Sequence, residues 1–117
     1  MIKLIKLDKV SDNLIKELSL DKIIQIYECH LDSTKIGYAI IRDKKTERLY
    51  LIIDEEYQNK GYGSLAFKLL LTQINDDAMC SVPFENNKMR RIIQKNNGIE
   101  ISRNGKTIIY IIEKKKN

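Results

Sequence analysis

Histidine and proline occur once each, as His30 and Pro83, tryptophan is missing, and cysteine appears only as Cys29 and Cys80. Two cysteines without a CxxC and one histidine cannot assemble a Cys/His cluster of metal-ligand spacing, so no metal site is expected. Both cysteines sit in or beside strand-like stretches and read as small core residues, and His30 reads as a bystander rather than a catalytic base. With one proline and no Gly/Ser-rich or low-complexity tract, nothing marks a linker, and residues 1–117 read as a single domain. The longest apolar runs, such as Ile108 to Ile112, are far too short to span a bilayer. Met1-Ile2-Lys3-Leu4-Ile5-Lys6 mixes apolar and basic residues where a signal peptide needs an apolar segment. A cytoplasmic protein with no membrane partner is expected.

Apolar residues make up 43% and charged residues 32% of the chain, a soluble globular balance. The formal net charge of +5 is unevenly spread. Residues 1–57 carry ten basic and eleven acidic side chains, and residues 58–117 carry eleven basic and five acidic. A basic C-terminal half points to an anionic partner, either a nucleotide cofactor or a nucleic acid.

Residues 2–7 read as a strand, and Ser11-Asp12 offers an N-cap for a short helix carrying Leu14, Ile15 and Leu18. Strands are expected at Ile23 to Glu28 and Ile36 to Arg42. A polar turn from Asp43 to Thr46 then leads into Leu49 to Ile53. That strand is apolar on both faces, hence central. A helix with one polar stripe follows over Ser64 to Ile74, then a strand from Met79 to Phe84. Asn86-Asn87 can cap a second helix bearing Met89, Ile92 and Ile93, with Gly98 in the place of a left-handed C-cap. Asn104-Gly105 joins Ile99–Ser102 to Thr107–Ile112 as a hairpin. The order gives an α/β (α+β) domain on one mixed sheet.

The segment that carries chemistry runs from Ile52 to Ser64. A buried strand ends, a polar loop follows, and Gly61 and Gly63 remove two side chains where a helix begins. There the backbone is open to a ligand, and the unpaired N–H groups with the helix dipole suit a pyrophosphate. A P-loop is excluded, since no Gly-Lys-Ser/Thr is present. A dinucleotide fingerprint is disfavoured by the elements that precede the loop and by the poor fit of Glu85 as its acidic residue.

Gln58-x-x-Gly61-x-Gly63, flanked by Glu56-Tyr57, Lys60 and Ser64, resembles the Gln/Arg-x-x-Gly-x-Gly/Ala signature of the GNAT acyltransferases. Asn87, eleven residues before Gly98-Ile99, resembles that family's Asn…Gly-Phe segment. The resemblance covers residues 36 to 112. It implies a mixed, mostly antiparallel sheet of six to seven strands flanked by helices, and acetyl-CoA as co-substrate. It also implies a cofactor loop of Gln58, Asn59, Lys60, Gly61, Tyr62, Gly63 and Ser64, whose backbone holds the pyrophosphate. The strand before the loop, Leu51 to Asp54, would splay at a bulge and pair its backbone with the pantetheine arm, with Ile52 and Ile53 as cofactor-binding residues, and Asn87 would contact the same ligand. The implied activity is acetyl transfer to a primary amine of a small molecule or peptide.

The chain departs from the family's pattern at Gln94, which stands where many members have the tyrosine that protonates the departing thiolate. A glutamine is no general acid near neutral pH. Glu47 has the spacing of the glutamate some members use as general base, and it also fits a solvated turn. The N-terminal region leaves room for one short helix, so the acceptor groove is expected to be open or completed by a second subunit. Two other readings stand beside the enzyme: a non-catalytic CoA-binding module, and a basic nucleic-acid-binding domain, the latter weakened by the lack of an aromatic-basic motif.

Overall fold

The computed structural model describes residues 1–19, 22–43 and 47–114. Lys44, Lys45 and Thr46 of the expected turn lie outside the described residues. Seven strands and three α-helices follow one another as β1 (Ile2–Lys6), α1 (Asp12–Leu18), β2 (Ile23–Leu31), β3 (Thr34–Arg42), β4 (Glu47–Ile53), α2 (Tyr62–Leu71), β5 (Ala78–Pro83), α3 (Asn87–Lys95), β6 (Ile99–Asn104) and β7 (Thr107–Ile112). A 3-10 turn, Glu55–Tyr57, links β4 to the glycine loop.

The strands form one sheet in the order β1-β2-β3-β4-β5-β7-β6. Every neighbouring pair is antiparallel except β4 and β5. This is the mixed, mostly antiparallel sheet expected, with β4 in the central place that its apolar faces require. The α2 helix buries Ala66, Phe67 and Leu70 and packs against β1, β3, β4 and α3. Burial of a side chain the size of Phe67 contributes about 2 kcal/mol. Tyr27, Cys29, Ala39, Leu49, Cys80, Val82 and Tyr110 complete the same core. One face of the sheet is therefore continuous beneath α2 and α3.

Local signals explain most of the helix ends. The Ser11 side chain accepts from Leu14 N at 3.1 Å, which caps α1 as expected. Asn86 caps α3 by accepting from Met89 N at 3.2 Å, leaving Asn87 as the first helical residue. The left-handed residue after α3 is Asn97, with φ 66°, rather than Gly98. Gly98 is needed for a different reason: a Cβ there would overlap Ile93 Cγ2 and stand 2.8 Å from the Ile93 carbonyl oxygen. The closing hairpin turns at Gly105-Lys106 and keeps Asn104 in β6, one residue later than the sequence suggested.

Two irregularities prepare the centre of the sheet. Between the pairs Cys29↔Gly37 and His30↔Lys35, Ile36 drops out of the β2–β3 ladder as a bulge. Its carbonyl instead accepts from Asp54 N at 2.7 Å. The second is the parting of β4 from β5, which pair only at Glu47↔Ala78 and Arg48↔Met79. The expected bulge in β4 itself is not there. The β3–β4 register runs without a shift from Arg42↔Arg48 to Gly37↔Ile53, and the bulge at Ile36 belongs to the β2–β3 ladder.

Candidate functional site

The parting of the two strands leaves one edge of β4 without a neighbour. Asp54 N bonds to Ile36 O on β3, and antiparallel bonding alternates along a strand. Ile52 therefore spends its backbone groups on β3, while those of Leu51 and Ile53 turn toward the gap. Gly37 confirms how closely β3 approaches at this point, since a Cβ there would overlap the Ile52 carbonyl oxygen. Ile52, expected with Ile53 to face a ligand, is therefore placed differently from it. Its backbone faces β3 and its side chain, 39% exposed, lies on the face opposite Leu51 and Ile53.

Beyond Ile53 the chain coils tightly into α2. Asn59 and Gly61 both have left-handed backbones, with φ 65° and 84°. At Gly61 no Cβ would meet anything within 4 Å, so glycine is there for its backbone conformation. The first backbone bond of α2 runs from Leu65 N to Gly61 O at 3.3 Å, so the N–H groups of Tyr62, Gly63 and Ser64 precede the helical ladder. Gly63 lets the helix lie close on its neighbours: its Cβ would meet Ile92 Cδ1 at 3.3 Å, Ile53 Cγ1 at 3.8 Å and Leu51 Cδ2 at 3.8 Å.

These parts enclose a cleft of about 540 Å³. Its floor is Leu51 and Ile53. One wall is Gln58, Asn59, Gly61, Gly63 and Ser64, and the other is Asn86, Lys88, Met89, Arg91, Ile92 and Lys95. Lys88, Arg91 and Lys95 sit three and four residues apart, which puts three cations on one face of α3. These three belong to the basic C-terminal half, and only their spacing along α3 distinguishes them from its other cations. No carboxylate, imidazole, thiol or phenol lines the cleft among the described residues. The cleft thus has a positively charged wall and an apolar floor.

The structure separates the other expected site residues from this cleft. Lys60 is exposed outside it, and Tyr62 packs against the core. Asn87 is exposed at the start of α3, where its Oδ1 accepts from Arg90 Nη1 at 3.4 Å, and Asn86 takes its place on the cleft wall. Gln94 is exposed and is not on the lining face. Glu47 is at the far end of β4. Its Oε1 accepts from Asn75 N at 2.8 Å and from Asp76 N at 3.2 Å. These amides lie between α2 and β5, where the carboxylate serves as their acceptor, and Glu47, expected as a base, does not line the cleft. His30 pairs with Glu28 at 3.1 Å on β2, outside the cleft. Burial pushes both thiols up to about 12, with the charge of Asp54 adding to the effect at Cys29, so neither is a nucleophile.

No protein-family model and no curated protein sequence matches the chain. Solved structures do match. The ribosomal-protein-S18-alanine N-acetyltransferase of Escherichia coli superposes with a TM-score of 0.75 at 11% identity, over 100% of this chain and 96% of that one. The Campylobacter jejuni N-acetyltransferase PseH, solved in complex with acetyl coenzyme A, gives a TM-score of 0.76 at 11% identity, over 98% and 100%. The dodecameric spermidine N-acetyltransferase of Vibrio cholerae gives 0.74 at 14%, over 97% and 94%. The seven-stranded sheet with its three helices is the fold of the GNAT N-acetyltransferases.

Proposed function

We propose that this chain, which has the GNAT fold, binds acetyl-CoA in the cleft between β4, α2 and α3 and transfers the acetyl group to a primary amine. The observation that carries the reading is the convergence of three features on one cleft. These are the unpaired edge of β4 at Leu51 and Ile53, the glycine loop ahead of α2, and the cationic row Lys88, Arg91 and Lys95. An extended amide-bearing arm suits the first, a pyrophosphate the second, and further phosphate charge the third. Lys60 reaches solvent at the rim and would add long-range attraction for the same polyanion.

In the reaction the amine nitrogen attacks the thioester carbonyl carbon. The new C–N bond forms, the C–S bond breaks, the nitrogen loses a proton, and the departing sulfur takes one up. Holding amine and thioester in one groove supplies the larger part of the acceleration. A backbone N–H of the free β4 edge would polarise the carbonyl. None of the residues expected as acid or base lines the cleft, so water or a group brought by the acceptor would carry the protons. That absence favours, as a second reading, a CoA-binding module without turnover.

Calorimetric titration with CoA tests the first step, and backbone chemical shifts locate it. Saturable binding with shifts concentrated at Gln58–Ser64 and along α3 is expected. No saturation at millimolar CoA would overturn the proposal. Release of CoA from acetyl-CoA in the presence of an amine panel separates the enzyme from the binding module.

A further inference from the structure

Where β4 and β5 part, a single guanidinium stands across the gap on the face away from the cleft. Leu49, Leu51 and Ile53 of β4, with Ala78, Cys80 and Val82 of β5, pack on the side of α2. Side chains alternate along a strand, so Arg48, Tyr50, Ile52, Met79 and Ser81 turn to the opposite face. From there Arg48 Nη1 donates to Ser81 Oγ at 3.3 Å, two residues beyond the last paired position of β5. The other contact of Arg48 is Asp43 Oδ2, 3.9 Å from Nε, within ion-pair range but too long for a hydrogen bond. Most of its N–H donors are thus unspent among the described residues. Arg42 pairs directly opposite Arg48 across β3 and β4, with its guanidinium 5.2 Å from the Tyr50 ring centre.

We infer that Arg48 recognises a carboxylate on the acceptor, so that the acceptor is a small amino acid rather than a polyamine. The inference rests on the acetyl-CoA reading. That reading puts the pantetheine arm in the gap from the α2 side, and an acceptor arriving from the other face meets Arg48 at the opening. A guanidinium presents a planar fork of donors that matches a carboxylate in two parallel hydrogen bonds. The same charge repels a polycation.

The test compares matched pairs of amines that differ only by a carboxylate: β-alanine with ethylamine, γ-aminobutyrate with propylamine, and lysine with cadaverine, with spermidine as the polycation. The wild-type chain should favour the carboxylated member by roughly tenfold or more in kcat/KM. Arg48→Met should bring the ratio near one without changing affinity for CoA, and Arg48→Lys should keep part of it. Preference for spermidine or for the amines without a carboxylate would overturn the inference, as would a ratio unchanged in Arg48→Met. If CoA binds but no amine turns over, β-alanine is titrated against the CoA complex by NMR. Saturation that Arg48→Met abolishes supports the inference, and no saturation overturns it while leaving the cofactor reading intact. Failure of the wild-type chain to bind CoA at all would remove both.

Discussion

The side-chain amide of Gln58 donates to the Ile53 carbonyl at 2.8 Å, fastening the start of the glycine loop to the last residue of β4. This bond occupies one of the outward groups on the free edge of β4 and fixes where Asn59 and Gly61 stand relative to it. Gln58→Glu would set a carboxylate against a carbonyl oxygen, with no donor between them. It should weaken CoA binding by roughly tenfold, and an unfavourable contact of this kind costs about 1–3 kcal/mol. Gln58→Arg keeps a donor and should stay near wild type. Calorimetry on the three proteins checks this, and equal affinities would remove Gln58 from the site.

The glycines should separate by mechanism when each is changed to alanine. Gly37→Ala drives a methyl into the Ile52 carbonyl, where the strand backbone would have to move, and should cost most. Gly98→Ala presses on Ile93 and should come second. Gly61→Ala meets no atom and pays only for its left-handed backbone, about 1 kcal/mol. Gly63→Ala asks Ile92 Cδ1 to yield a few tenths of an ångström and should be the mildest. Thermal unfolding gives the ranking, and a Gly37→Ala protein as stable as wild type would contradict the close β3–β4 contact.

How much of this was legible follows from which residues act through local chemistry. Hydrophobic periodicity and caps act within one element, so the succession of strands and helices along the chain, the Ser11 cap and the helix carrying Met89, Ile92 and Ile93 were readable. The glycine loop was readable because its backbone demands are local too. Gly37 was not, because what excludes its side chain is the carbonyl of Ile52, fifteen positions away on another strand. The surroundings of Glu47 were hidden for the same reason: a spacing that suits a base says nothing about the amides of Asn75 and Asp76 that the fold brings to it. The bulge expected in β4 is missing from its register with β3, and the one at Ile36 belongs to the β2–β3 ladder, because a bulge depends on how two strands pair and not on one strand's residues.

The cationic row on α3 should make CoA binding depend on salt. Lys88, Arg91 and Lys95 are exposed and face the same cleft, and exposed charges are screened over about 8–10 Å at physiological ionic strength. Affinity for CoA should therefore fall between 50 mM and 500 mM salt. Arg91→Glu should weaken binding at low salt and flatten that dependence. Dephospho-CoA, with less charge, should show a shallower slope than CoA in the wild-type chain. Titrations at three salt concentrations suffice, and a wild-type affinity independent of salt would count against the row.

Alkaline pH should destabilise the fold through its thiols. Burial raises both Cys29 and Cys80 to about 12 from an unfolded value of 9.0. Below pH 9 both states hold the proton, and the preference for the neutral thiol is fully present. Above it the unfolded chain loses protons that the folded chain keeps, so stability falls as pH rises toward 12. Denaturant midpoints should drop between pH 9 and 11, and by less in Cys80→Ala compared with its own value at pH 8. A thiol reagent at pH 8 should label the native protein slowly and the unfolded protein at once. Fast native labelling would show that these thiols are not shielded.

Glu47 offers the sharpest separation of a structural from a catalytic role. Its Oε1 receives the N–H groups of Asn75 and Asp76 and so closes the connection from α2 to β5. A glutamine keeps an oxygen acceptor at that position, whereas an alanine leaves both amides without one. Glu47→Gln should therefore unfold close to the wild-type temperature, while Glu47→Ala should lose about 1–3 kcal/mol. If Glu47 removed the proton from the amine, the order would reverse in an activity assay, because a glutamine cannot accept that proton and turnover would collapse in a fully folded protein. The expected result is that Glu47→Gln retains turnover and that any loss in Glu47→Ala tracks its folded fraction. A stable, CoA-binding Glu47→Gln protein with turnover reduced a hundredfold or more would restore the carboxylate to the reaction.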